Sequence, residues 1–195
     1  MKTGIEYAAD YSDIIAGKTI LVTGVSPGTL GSTFVRAAAK HKPAMLILAG
    51  RNTEKLQKTI DELKEDNIDS SVAIKTLQLD LSSLAAVREA AAKLNSWDDV
   101  PHIDVLINNA GIMAVDYAVT VDGFESQFGT NHLGHFLFTN LILNKVLAAP
   151  APRLVSVSSD GHCLCPIRFA DYNFHVCKAL SCLRAGPILT YHLGR

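Results

Sequence analysis

The chain has 195 residues, 48% of them hydrophobic, and its 18 Lys and Arg against 19 Asp and Glu leave a formal charge of −1. That apolar content suits one domain with a buried core and excludes a disordered polymer, while the even charge, without a run of Lys or Arg, gives no long-range pull toward nucleic acid or an anionic membrane. Residues 1–17 carry Glu6, Asp10 and Asp13 and no signal-peptide core, and no segment reaches the roughly 20 apolar residues of a membrane span, so the expectation is a cytoplasmic protein with neither nucleic acid nor membrane as partner.

Residues 18–23 form an apolar run that reads as a first strand. The run breaks into Gly24, Gly28 and Gly31, and 30–41 have helical composition until Pro43 blocks continuation. Glycine lacks a Cβ, so such a turn admits positive φ and lets backbone N–H groups approach a pyrophosphate at the helix N-terminus. A dinucleotide is the expected ligand; a plain tight turn is the alternative. Residues 45–49 read as a second strand, and 53–65 as a helix capped by Thr53, with Leu56, Ile60 and Leu63 at helical spacing. Between them lies Arg51, about twenty residues beyond Gly31, where an NAD-binding fold places a carboxylate on the ribose. A cation there favours the 2′-phosphate of NADP, the alternative being a solvated side chain ahead of the helix.

Alternation at 71–79 gives a third strand, Ser82 or Ser83 caps an Ala-rich helix to Leu94, and 103–107 give a fourth strand. A long helix over about 122–147 and a fifth strand at 153–158 complete the alternation. Strands alternating with helices predict an α/β fold: a doubly wound parallel sheet with right-handed crossovers and ligands at the strands' carboxyl ends. No internal repeat or linker marks a second domain, and the chain divides into an extension (1–17), a dinucleotide-binding domain (18–175) and a divergent tail (176–195). His132 and His135 on the long helix are read as packed or solvated rather than metal-bound. The cysteines, Cys163, Cys165, Cys177 and Cys182, are confined to one stretch, unlike a secreted disulfide framework, and with His162 and His175 they match no common zinc spacing. Reduced thiols and no metal are expected.

Several motifs now stand together: Thr23-Gly-Val-Ser-Pro-Gly-Thr-Leu-Gly31, Asp80 after the third strand, Asn108-Asn-Ala-Gly111 after the fourth, Asn131 in Thr130-Asn-His-Leu-Gly134, and Ser159 closing Val155-Ser-Val-Ser-Ser159. In combination they resemble the short-chain dehydrogenase/reductase family over residues 18 to about 175, with features of its retinol-dehydrogenase-like and fungal members. The resemblance implies a Rossmann sheet and NADP-dependent interconversion of a small-molecule alcohol and carbonyl by hydride transfer. It assigns Gly24, Ser26, Gly28, Leu30, Gly31, Arg51, Asp80, Asn108, Asn109, Ala110 and Gly111 to cofactor binding, Asp80 toward the adenine amino group. Ser159 is assigned to the substrate oxygen, with Ser158 on the opposite side of the strand, and Asn131 to a proton-relay water. Plainer alternatives are that Asp80 only begins the turn into Ser82 and that Asn131 only satisfies nearby backbone. Pairing of two copies through the 122–147 helix is also implied.

The chain departs from the family in one respect that bears on chemistry. The family's catalytic tyrosine is followed four residues on by a lysine, because a phenol with a pKa near about 10 needs a neighbouring cation to act as a base near neutrality. No Tyr-x-x-x-Lys occurs; where it belongs the chain reads Leu183-Arg-Ala-Gly-Pro-Ile188. Tyr191 and Arg195 copy the spacing, but Arg is no equivalent for Lys. The family's last two strands are also missing, so the sheet is expected to be incomplete at about five strands, with Leu133, Phe136 and Leu137 short of cover. Alternatives to the oxidoreductase are therefore an inactive NADP-binding or interaction module, or a non-functional fragment.

Overall fold

Five segments pair as parallel strands: β1 (Thr19–Thr23), β2 (Met45–Gly50), β3 (Ala73–Gln78), β4 (Val105–Asn108) and β5 (Arg153–Ser156), in the spatial order β3-β2-β1-β4-β5. The computed structural model describes residues 2–163 and 168–175. The doubly wound α/β sheet expected from the alternation is the one found. β1 lies centrally, with Leu21 opposite Ile47 on one side and Leu106 on the other. The chain runs outward from β1 to β3, then returns to β4 and β5, so the reversal point falls between β1 and β4, where open sheets bind ligands.

Side chains alternate across the sheet and build a core on each face. On one face Leu21, Ile47, Leu77 and Leu106 pack against Val87, Ala91 and Leu94 of α5 (Leu84–Asn95) and Phe138 and Ile142 of α7 (His135–Leu147). On the other, Ile20, Val22, Leu46 and Leu48 meet Val35 and Ala38 of α3 (Leu30–Ala39) and Leu56, Ile60 and Leu63 of α4 (Thr53–Glu65). Each large side chain buried this way contributes about 1.5–3 kcal/mol, which keeps the helices docked and the strand ends aligned. β5 differs: all four of its residues are exposed, Leu154 and Val155 included. Phe136, expected to lack cover, is 63% exposed, whereas Leu133 and Leu137 are half-buried.

The bounds shift where local chemistry outweighs composition. The cap of α4 is Asn52, not Thr53: the Asn52 amide oxygen accepts the Lys55 N–H at 2.9 Å, leaving Thr53 as the first helical residue. Ser83, not Ser82, caps α5. The third and fourth strands begin at Ala73 and Val105, two residues later than the alternation suggested, and β5 ends at Ser156 rather than at 158. The helix expected from 122 begins at α6 (Ser126–Phe128), because the buried Glu125 carboxylate accepts the Gln127 and Phe128 N–H groups and so closes its first turn. It then runs through a π-helical stretch, Gly129–Gly134, into α7. Residues 1–17, read only as an extension, form α1 (Gly4–Asp10) and α2 (Ser12–Ile15), the first opened by a reciprocal Thr3–Glu6 capping box. Among the described residues no helix is long and apolar enough to cross a membrane.

Candidate functional site

The turn after β1 is held by close backbone approach. Gly24 has φ +76°, and a Cβ there would sit 2.7 Å from the Ala110 Cα; a Cβ on Gly31 would sit 2.5 Å from the Gly24 carbonyl oxygen. Both positions therefore exclude any side chain. Thr29 closes the turn: its hydroxyl donates toward the Ser26 carbonyl at 2.7 Å and accepts the Ser32 N–H at 3.3 Å, with Ser32 bonding back to the Thr29 N–H. The capping box thus serves the third amide of α3, while the Leu30 and Gly31 N–H groups, in its first turn, have no intrahelical acceptor and keep the partial positive charge of a helix start.

The turn leading into α3 borders a cleft of about 400 Å³ at the carboxyl ends of the strands. Its walls include Gly24 and Ser26 after β1, Arg51 after β2, Asp80 after β3, Ala110 and Gly111 after β4, and Thr130 of the π-helical stretch. Arg51 is exposed and makes no ion pair with any described residue, so its guanidinium remains available to an anion. Asp80 divides its carboxylate: Oδ1 accepts the Ser82 N–H at 3.0 Å and the Ser82 hydroxyl at 2.6 Å, which is the turn expected as its plainer role, and Oδ2 takes no hydrogen bond among the described residues. The donor set fits a dinucleotide carrying an extra phosphate: unpaired amides at a helix start, glycines where a Cβ would intrude, and a free guanidinium one strand away.

Gly28, Leu30, Gly31, Asn108 and Asn109 are not among the residues lining the cleft. Asn109 stands behind the turn, its amide donating to the Thr23 carbonyl at 2.8 Å and the Gly24 carbonyl at 3.2 Å. Asn108 donates to the Thr139 hydroxyl at 3.0 Å, tying β4 to α7. Asn131 spends its side chain on one partner: Oδ1 accepts the Ile112 N–H and Nδ2 donates to the Ile112 carbonyl, both at 2.8 Å. Its amide is thus a clamp on the segment leaving β4, the plainer role expected of it.

Ser159 lies beyond the end of β5, at the start of the short 3-10 turn Asp160–Cys163, and its Oγ accepts the Gly161 N–H at 3.2 Å. Because the strand stops at Ser156, the in-and-out alternation expected to separate Ser158 from Ser159 does not extend to them. Past the turn, Asn173 is buried and accepts the Glu125 N–H at 2.8 Å, while its amide donates to the Gly123 carbonyl. That staple fixes 171–174 against the segment leading into α6. Sequence reading passed over Asn173 and Glu125.

His135 was also given no role, yet it is 6% exposed and touches two signature residues. Its Nε2 lies 3.0 Å from the Thr23 hydroxyl and its Nδ1 3.1 Å from the Asn131 carbonyl oxygen. Burial pushes its pKa down to about 4, with a smaller effect of the same sign from His132. Its spacing of four from Asn131, one helical turn on the same face, was the available signal. Tyr191, Arg195, Cys165, Cys177, Cys182 and the 183–188 segment lie outside the described residues.

A family model described as short chain dehydrogenase matches residues 18–172. Retinol dehydrogenase 13 of Homo sapiens is 40% identical over 164 residues, which cover 84% of this chain and 48% of that protein. A solved structure of an uncharacterized protein from Mycobacterium paratuberculosis is similar at a TM-score of 0.67 with 38% identity, covering 94% of this chain and 59% of that one. The Pseudomonas aeruginosa RhlG/NADP active-site complex is similar at a TM-score of 0.59 with 25% identity, covering 75% of this chain and 56% of that one. This chain spans about half the length of the curated relatives it matches.

Proposed function

The chain belongs to the short chain dehydrogenase family, and on that premise we propose that it is an NADP-dependent oxidoreductase interconverting a small-molecule alcohol and carbonyl. The observation that carries this reading is the cleft at the reversal point of the sheet, where Gly24 and Ser26 of the turn leading into α3 line the same space as Arg51, which has no ion pair among the described residues. The first-turn amides of α3 take the pyrophosphate, Arg51 takes the 2′-phosphate, and the Oδ2 of Asp80 accepts from the adenine amino group. The RhlG complex, which holds NADP, supports the same choice of coenzyme. NADPH supplies the hydride, and the chain supplies orientation and charge. Ser159, following β5 at the carboxyl end of the sheet, is assigned to the substrate oxygen. The main-chain carbonyl of Asn131 is assigned to a relay water. The exposed Phe136 on α7 supports pairing of two copies through this helix.

A second reading is favoured by one observation: none of the five tyrosines is followed four residues on by a lysine. In this reading the cleft binds NADPH without turnover. Titration with NADPH, following energy transfer from the single tryptophan, Trp97, tests the binding shared by both. NADPH consumption against a panel of aldehydes and ketones then separates them: binding with turnover supports the oxidoreductase, and binding alone the module. Folded protein that binds neither NADPH nor NADH refutes both.

A further inference from the structure

The Thr23 hydroxyl accepts two backbone N–H groups, from Asn109 at 3.0 Å and from Ala110 at 2.9 Å. A hydroxyl has two lone pairs and one proton, so with both lone pairs taken its remaining capacity is to donate. The atom placed to receive that proton is His135 Nε2, at 3.0 Å. Nε2 must then be unprotonated, which puts the imidazole proton on Nδ1, where it meets the Asn131 carbonyl at 3.1 Å. At the end of the π-helical stretch the His135 backbone N–H goes to the His132 carbonyl, and the ring of His135 meets the Asn131 carbonyl.

We propose that His135 is a positioning residue of the coenzyme cleft: as the neutral Nδ1–H tautomer it joins Thr23 to Asn131, and so locks the turn after β1 and the 109–112 segment after β4 into one wall. Each end of the bridge is itself a two-point pin, Thr23 on the Asn109 and Ala110 amides and Asn131 on both backbone groups of Ile112. The imidazole couples the two pins. With the bridge intact, the Thr23 proton is directed away from both amides and its lone pairs toward them. Without it, the hydroxyl is free to rotate, and the amides lose a fixed acceptor at the point where the backbone packs against Gly24. The effect on coenzyme affinity rests on the NADP reading of the cleft; the place of the proton does not.

Glutamine and asparagine separate the two arms. In His135→Gln the side-chain oxygen reaches the place of Nε2 and still accepts from Thr23. In His135→Asn the amide reaches only the place of Nδ1, so the bond to Asn131 is kept and the Thr23 arm is lost. The experiment is nitrogen NMR of the histidine-labelled 195-residue chain near neutral pH, with hydrogen exchange at the Asn109 and Ala110 amides and NADPH titration of wild type and both variants. The expected result is an unprotonated Nε2 in wild type. In His135→Asn, exchange at the two amides should be about tenfold faster and NADPH affinity about tenfold weaker, with both largely restored in His135→Gln. A proton on Nε2 in wild type overturns the proposal, as does wild-type exchange at Asn109 and Ala110 in His135→Asn. If the variants fail to fold, the wild-type tautomer still decides. If wild type binds no NADPH, the coenzyme reading falls, while tautomer and exchange still judge the bridge.

Discussion

Mild acid should destabilise this chain through one imidazole. His135 is 6% exposed, and burial holds its pKa near about 4, against about 6.5 for a histidine in the unfolded chain. Between those values the unfolded state takes up a proton that the folded state refuses. Stability is therefore whole above about pH 6.5, falls as the pH drops toward 4, and levels off below. At pH 5 the loss spans about one and a half units at about 1.4 kcal/mol each, or about 2 kcal/mol. Carboxylates such as Asp66, held low by its hydrogen bonds from Arg36, stay ionised in this window. His132 is half-buried and shifted down by desolvation, so it tilts wild type the same way. The measurement that isolates His135 is therefore a difference: urea denaturation of wild type and His135→Gln, followed by circular dichroism between about pH 7.5 and 5. Wild type should lose about 2 kcal/mol more than the variant, which has no proton to take up at this site. Parallel loss in the two chains would refute the reasoning, because it would mean that the ring is charged as readily folded as unfolded.

Three further outcomes follow from named contacts. Arg51→Asp removes the guanidinium from the cleft and should weaken NADPH relative to NADH by about tenfold or more in paired titrations, and an unchanged ratio would remove Arg51 from coenzyme choice. Gly24→Ala places a methyl 2.7 Å from the Ala110 Cα at a φ of +76°, so thermal melts should show a loss of at least about 1–2 kcal/mol together with loss of NADPH binding. Asn131→Ala strips both partners from the Ile112 backbone and should cost about 1–3 kcal/mol in denaturant melts, with faster exchange at the Ile112 amide as the local readout.

Most of the sheet could be read from the sequence because β1, β2 and β4 are apolar runs and β3 alternates apolar and polar residues. β1 ends just before Gly24 and β2 at Gly50, and α4, which follows, carries Leu56, Ile60 and Leu63 at one face. The misplaced helix starts share a cause: side-chain hydrogen bonds to first-turn amides decide them, and composition is silent about these. Asn52 outcompetes Thr53 because its amide oxygen reaches the Lys55 N–H, and Glu125 starts α6 because its carboxylate reaches two amides. The Thr3–Glu6 capping box could have been read from spacing alone, since Thr-x-x-Glu ahead of a short apolar stretch is its signature. The π-helical stretch had no such signal, and the bond its Asn131 makes to Ile112 joins residues 19 apart, beyond the reach of local spacing.

The signature residues divide by what their side chains bind. Asn109 bonds the Thr23 and Gly24 carbonyls, Thr23 the Asn109 and Ala110 amides, Asn131 the Ile112 backbone, and His135 joins the last two. All four spend their polar atoms on the walls of the cleft, mostly on main chain from another segment. What is left for a ligand is the helix-start amides, one oxygen of Asp80 and the Arg51 guanidinium. Substitutions in the first group should therefore move stability and coenzyme affinity together, because both depend on where the wall sits. Substitution of Arg51, exposed and without an ion pair among the described residues, should move affinity alone. A plot of melting temperature against NADPH affinity for Thr23→Val, Asn109→Ala, Asn131→Ala and Arg51→Asp tests that division: the first three should fall along one line and Arg51→Asp well off it, at wild-type stability. If Arg51→Asp fell on the line, or the wall variants scattered, the cleft would not be a rigid frame with a separate charge reader.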